Sequence, residues 1–264
     1  MTRRAVAILV TAAAVVALTA CGGGGDGGGS QDDFVAQANA ACADATRGVV
    51  DANLRVGVPI TTEASYQQIE AQIPARAQAV QQLGRLEPPQ GQEDLYRRFV
   101  AQRKEQVAAN SAQVQAFHSG DDAATNRADE RTAKAVEAQQ ALARKLGLEA
   151  CALQLPPDDA KTVKALVKEY AVDRDPKRVC SEDLVLRQFL DVGYAGKKAC
   201  FRFQRVHADE FADDVTFDKV QGLDNVAAII DFTDVGGKYD GVPTTATLYY
   251  VGGSWKVFYV QTQS

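Results

Sequence analysis

Between residues 31 and 155 apolar side chains recur three and four positions apart, the spacing that lines one face of an α-helix. Phe34, Ala38, Ala41, Cys42, Ala45 and Val49 make a first stripe that ends near Leu54, with Ser30 or Asp33 as its cap. A second stripe runs from Ser65 through Tyr66, Ile69, Ile73, Val80 and Leu83 to Leu86, where Glu87-Pro88-Pro89 stops it. Pro74 falls inside this stripe. It lacks an amide donor and crowds the preceding turn, so the pattern predicts a kink or two shorter helices there. Leu95, Phe99, Val107, Val114 and Phe117 form a third stripe, turned at Ser119-Gly120-Asp121. A fourth carries Ala124, Ala128, Ala135, Val136, Leu142 and Leu146 and closes at Gly147. Four amphipathic segments with short connections predict an antiparallel helical bundle.

The pattern changes after Pro156-Pro157. Asp158-Asp159 starts a helix with Val163, Leu166, Val167 and Tyr170 on one face. Ser181 caps a short one with Leu184, Phe189 and Leu190, and a third around Lys197 to His207 carries Cys200, Phe203 and Val206. From Asp213 onward the period becomes two, which predicts strands at Val215–Val220 and Val226–Thr233. A hairpin of Thr244–Val251 and Ser254–Val260 then turns through Gly252-Gly253. The expected fold is therefore α+β in two domains. Residues 31–155 form the antiparallel helical bundle, and residues 156–264 are helices packed on a curved antiparallel sheet.

Composition narrows the function classes. The chain has 264 residues, 29 Lys+Arg against 34 Asp+Glu, and a net charge of −5 without basic clusters. A nucleic-acid surface, which needs positive charge to displace phosphate counterions, is not expected. Two His and 7% aromatic residues offer little for an imidazole-rich centre. His118 reads as a residue at a helix C-terminus and His207 falls on a helix end. The polar run from Asp121 to Arg131 reads as a solvated helix face with an acidic first turn.

The chain begins with Arg3-Arg4 and then an uncharged stretch, Ala5 to Ala20, rich in Ala and Thr and too short for a membrane span. Residues 1–20 read as an export signal. The run ends Leu18-Thr19-Ala20-Cys21, which resembles the lipobox of bacterial lipoproteins; that resemblance implies removal of the signal and diacylation of Cys21 as the new first residue. Removal of Arg3 and Arg4, two of the 29 basic residues, takes the net charge from −5 to −7, so the expected membrane anchor is lipid and not electrostatic. Residues 21–30 continue as a glycine-rich tether of roughly 15–18 Å r.m.s. reach.

Cys42, Cys151, Cys180 and Cys200 remain, an even number in an exported chain, and four cysteines allow three pairings. If the chain divides near Pro156-Pro157, the pairing local to each half, Cys42–Cys151 and Cys180–Cys200, is the economical one; a Cys42–Cys180 link would contradict the division. In an up-and-down bundle the fourth helix also returns toward the start of the first, which brings Cys151 near Cys42. The spacing lacks the paired-cysteine signature of a structural zinc site, and no metal or cofactor is expected.

The stretch Phe34 to Cys42, the stop at Leu86-x-Pro-Pro and Gly147-x-x-x-Cys151 resemble helical domains of exported actinobacterial proteins. The ordering of helices before a meander, ending Leu248-Tyr-Tyr-Val-Gly-Gly-Ser-Trp255-Lys-Val, looks like the nuclear transport factor 2-like superfamily, the cystatin-like α+β cone. Exported members with two cysteines around the second and third helices match Cys180 and Cys200. That superfamily spans isomerases, hydrolases and non-catalytic binding modules, so the fold does not decide the activity. Members similar to ketosteroid isomerase place a carboxylate and hydroxyl donors inside the cone. On that basis Tyr170, Phe189, Tyr194, Asp231 and Tyr249 are the candidate pocket residues, with an exposed strand face as the alternative for Asp231 and half-buried packing for the tyrosines. Trp255 reads as a core anchor. No catalytic set is assigned. The expected role is a lipid-anchored, extracytoplasmic binding or interaction module for a small apolar ligand or an envelope partner protein. The alternatives are a cone-fold isomerase or hydrolase and a structural protein of envelope assembly.

Overall fold

Ser30 accepts a hydrogen bond from the Asp33 amide and starts α1, Gln31–Val56. The structure is a computed structural model, and it describes residues 30–59, 61–223 and 226–262; the expected export signal 1–20, the expected lipid site Cys21 and the expected tether up to Gly29 lie outside them. Thr61 caps α2, Thr62–Leu83, in the same way through the Ala64 amide. α2 continues through Pro74 as one helix, not two. The ring and Glu70, whose carbonyl loses its partner, are both on the exposed side, where water replaces the missing bond. Gly120 ends α3, Glu93–Ser119, in the left-handed conformation, and Asp121 caps α4, Asp122–Lys145. Polar contacts align α3 and α4 antiparallel: Glu105 and Gln106 meet Arg131 and Gln139, while Gln113 near the end of α3 meets Asp129 near the start of α4. α1 packs on α2, α2 on α3 and α3 on α4.

A short α5, Glu149–Ala152, carries Cys151 back to α1, where it is bonded to Cys42 across 109 residues. Around this link Phe34, Ala38, Leu83, Tyr96, Phe99, Leu142 and Leu148 form an apolar cluster.

α6, Pro157–Val172, opens the second half, followed by α7, Pro176–Val179, α8, Arg187–Gly193, and α9, Lys197–Val206. The second disulfide joins Cys180 to Cys200. Ser181 does not start a helix carrying Leu184, as the sequence suggests. Its hydroxyl accepts from the Leu184 amide only within a turn, because the next residues are drawn to the sheet edge. There the Leu186 amide donates to the Val257 carbonyl and the Val257 amide to the Leu184 carbonyl, each at 2.8 Å, and the helix begins only at Arg187.

Strands β1 (Asp214–Leu223), β2 (Ala227–Val235), β3 (Pro243–Val251) and β4 (Ser254–Thr262) form an antiparallel sheet in chain order. The molecule is thus α+β. Gly252 and Gly253, at φ 63° and 83°, make the β3–β4 turn, a left-handed pair that suits glycine and matches the twist of the strands. One sheet face presents Ala228, Ile230, Phe232, Ala246, Leu248 and Val257 to α6 and α8, and this core is fully closed. Trp255 belongs to it, its indole N–H directed at Asp159 Oδ1, 3.3 Å away. The same cluster takes in Val50 and Val58 from the first half, so the sheet also rests on the end of α1.

Candidate functional site

On the other sheet face, alternate residues of the strands turn toward the long helices. Between them lies a cavity of about 380 Å³, within the range of ordinary small-molecule sites. α1 supplies Val49, Val50 and Asn53; α2 supplies Gln72 and Arg76; α3 supplies Arg103; the sheet supplies Ile229, Tyr249 and Phe258. Ile229 keeps 36% of its surface accessible and marks the mouth. From Ala45 to Asn53 the cavity follows α1 for roughly 12 Å at the ordinary helical rise.

α1 and α2 come close enough to shape this space because Gly48 has no side chain. A Cβ there would lie 2.8 Å from the Cβ of Ala75. The adjacent residue Arg76 then reaches the cavity wall and begins a directed chain of hydrogen bonds. Arg76 Nη2 donates to Gln72 Oε1, Gln72 Nε2 to Asn53 Oδ1, and Asn53 Nδ2 to Tyr249 Oη, each at 2.7 Å. A guanidinium only donates, which obliges Gln72 to present its oxygen, so its amide nitrogen faces Asn53 and the order propagates. Tyr249 ends the chain as an acceptor, leaving its own O–H to donate. Burial pushes its pKa up to about 12, against the opposing pull of the Asn53 bond, so the phenol stays protonated at neutral pH.

Among the described residues, Arg76 and Arg103 are the only charged ones lining the cavity, and neither forms a salt bridge. Arg103 donates to Cys42 Sγ at 3.0 Å and lies 5.6 Å from the centre of the Phe99 ring. The Nε of each arginine is sealed from solvent and has no hydrogen-bond partner in the structure. Desolvation lowers both guanidinium pKa values to about 10, and at Arg103 the charge of Arg76 adds to the effect. Gln139 donates to Gln106 Oε1 at 3.0 Å while its own oxygen is left unpaired.

Of the five candidate pocket residues named from sequence, Tyr249 alone lines this cavity. Tyr170 and Tyr194 meet hydroxyl to hydroxyl at 3.1 Å, and their rings pack against Phe189, one tilted and the other edge-on, inside the core beneath the opposite sheet face. Asp231 shares a sheet face with Ile229 but sits farther along β2, half-buried, accepting a bond from Thr245 at 2.8 Å. The sequence reading missed Gln72, Arg76, Arg103 and Gln139. Their signal was present as polar residues at helical spacing, Gln68, Gln72 and Arg76 on α2 and Gln106, Asn110 and Gln113 on α3, a pattern indistinguishable from a solvated face until the helices are packed.

Compared with models of protein families, with curated proteins and with solved structures, the chain matches none.

Proposed function

We propose that this protein is a non-catalytic binding protein that holds a small, largely apolar ligand in the cavity between its long helices and its sheet. The observation that carries the reading is the cavity itself, ordered by the Arg76–Gln72–Asn53–Tyr249 chain and walled on the sheet side by Ile229 and Phe258. A preformed concave site with a few oriented polar groups is what a binding protein needs. The two disulfides fit an oxidising, extracytoplasmic compartment. Attachment to the bacterial membrane through a lipid on Cys21 is part of the same reading. So are a four-helix bundle in residues 31–155 and a nuclear transport factor 2-like unit in residues 156–264, which the chain-order meander and its helix-covered face support.

The test is native mass spectrometry of the protein after incubation with an extract of cell-envelope lipids. The expected result is a discrete mass increment that disappears in Val49→Trp, a variant that fills the cavity and keeps its melting temperature. No increment with the unaltered protein overturns the reading.

A further inference from the structure

Two half-buried guanidinium groups, each with its Nε sealed from solvent, facing one cavity call for an explanation, because a charge withdrawn from water is penalised unless something pairs with it. Arg76 and Arg103 converge on one cavity from neighbouring helices. Among the described residues no carboxylate lines that cavity, and each group has an Nε donor without a partner there. Their mutual repulsion makes the arrangement worse in the absence of a counter-charge, and it is expressed in the lowered pKa of Arg103. Evolution of a structural role would place an acid here or an apolar residue. Two unpaired arginines are instead the donor set that grips a planar or tetrahedral oxyanion.

The cavity is also polarised along its length. Arg103 touches Cys42 and Arg76 follows Ala75, which packs against Gly48, so both charges lie beside the middle of α1. Asn53 lies about one and a half turns beyond Gly48 and about three beyond Cys42, and with Tyr249 it marks the sheet end, where Ile229 is the exposed lining residue. Resting on the binding reading above, we infer that the ligand is an amphiphilic oxyanion whose carboxylate or phosphate head sits between Arg76 and Arg103. Its apolar body lies along Val49 and Val50 toward Ile229 and Phe258. Tyr249, held as an acceptor by Asn53, turns its hydroxyl hydrogen to the ligand and supplies one donor near the mouth.

Isothermal titration of the disulfide-intact protein with decanoate, decyl phosphate, 1-decanol and inorganic phosphate tests this. Decanoate or decyl phosphate is expected to bind at least about tenfold tighter than decanol, the factor that one charge-assisted hydrogen bond contributes. Whichever of the two is tighter identifies the head group. In the double variant Arg76→Gln/Arg103→Gln the ratio of anion to decanol affinity falls to about one, whatever the change in decanol binding itself; a ratio kept at about tenfold or more overturns the oxyanion site. Equal binding of decanol and the anions by the unaltered protein overturns the oxyanion site and leaves the apolar cavity reading standing. Binding of inorganic phosphate as tightly as of decyl phosphate overturns the amphiphile. Binding of none of the four overturns the cavity reading and this inference together.

Discussion

On one side of the sheet, Val163 and Val167 of α6 press against Ala228, Ile230 and Phe232, all of them with almost no exposed surface. On the other side, Gln72, Arg76, Arg103 and Gln139 face open space. The first interior is filled by its own side chains and derives its stability from apolar burial and close packing. The second contains amides and guanidiniums that must be satisfied one by one, and some are not. The contrast shows where each half stores its stability. The sheet half holds itself together by its core. The helical half concentrates its apolar contacts at one end, around Phe34, Tyr96 and Phe99, and adds a covalent link there.

The largest effect expected from this comparison is therefore loss of that link. Replacing Cys42 and Cys151 with serine releases a loop of 109 residues, and the chain-entropy argument sets the loss at about 4–5 kcal/mol. The same change at Cys180 and Cys200, which close a loop of 20, is expected to lose about 3 kcal/mol. Urea unfolding of the two double variants measures both. A smaller loss at Cys42–Cys151 than at Cys180–Cys200 breaks the claim that the helical half depends on its staple.

Single substitutions separate the two interiors next. Phe232→Ala empties a closed apolar site and is expected to cost about 3–5 kcal/mol. Gln72→Leu retains roughly the same volume but strands the donor of Arg76 and the acceptor of Asn53, which is expected to cost about 1–3 kcal/mol. Beyond the midpoint, the Gln72 variant also releases Tyr249 from its assigned role as acceptor, so the phenol loses its fixed direction. A Gln72→Leu protein as stable as the parent would mean that water already satisfies this network, and the two interiors would differ less than their contacts suggest.

These same residues show what the sequence made legible. The strands and their hairpin were readable because the period changes to two after Asp213 and Gly252-Gly253 marks the turn; the covered face of β2 was not, since Val226 to Ile230 is apolar in both phases. The cysteine pairing followed from dividing the chain near Pro156-Pro157 and keeping each link within its half, and the structure has the same two links. The start of α1 at Ser30 and the stops of α3 at Gly120 and of α4 just before Gly147 followed from a capping residue and glycines, whereas α1 runs to Val56, past the expected end near Leu54. In α2 the buried face proved to be rotated: Gln68 and Gln72 are buried, whereas Ile69 and Ile73 retain exposed surface. Hydrophobic periodicity assigns the inside of a helix to its apolar stripe, and that assumption fails where the inside is a polar cavity. Arg76 and Arg103 stand 27 positions apart on different helices, with no local pattern that joins them. The candidates Tyr170, Phe189 and Tyr194 came from the cone resemblance, which favours the helix-covered side of the sheet. In this chain that side is packed with its own aromatic rings.

The smallest expected effect is the one that tests the comparison most closely. Arg103→Met removes a charge and keeps most of the side chain's length and apolar contact. In a half stabilised by its polar interactions such a loss would be costly, since Arg103 donates to Cys42 Sγ and lies by the Phe99 ring. Against these contacts stand desolvation of the guanidinium and repulsion from Arg76, both of which lower its pKa to about 10. A cation whose pKa is lower in the folded than in the unfolded chain destabilises the fold wherever it is charged, which includes neutral pH. Replacing a buried charge without a partner by an apolar side chain of similar volume removes that penalty. The expected change in the ligand-free protein is therefore between zero and a gain of about 1 kcal/mol, with a melting temperature equal to the parent's or slightly higher. A loss of more than about 1 kcal/mol would show that Arg103 is a structural member of the helical half, since removal of a net-stabilising hydrogen bond costs about that much. A neutral or stabilised variant would instead mean that the arginine is kept at the expense of the fold, as a group that serves the cavity.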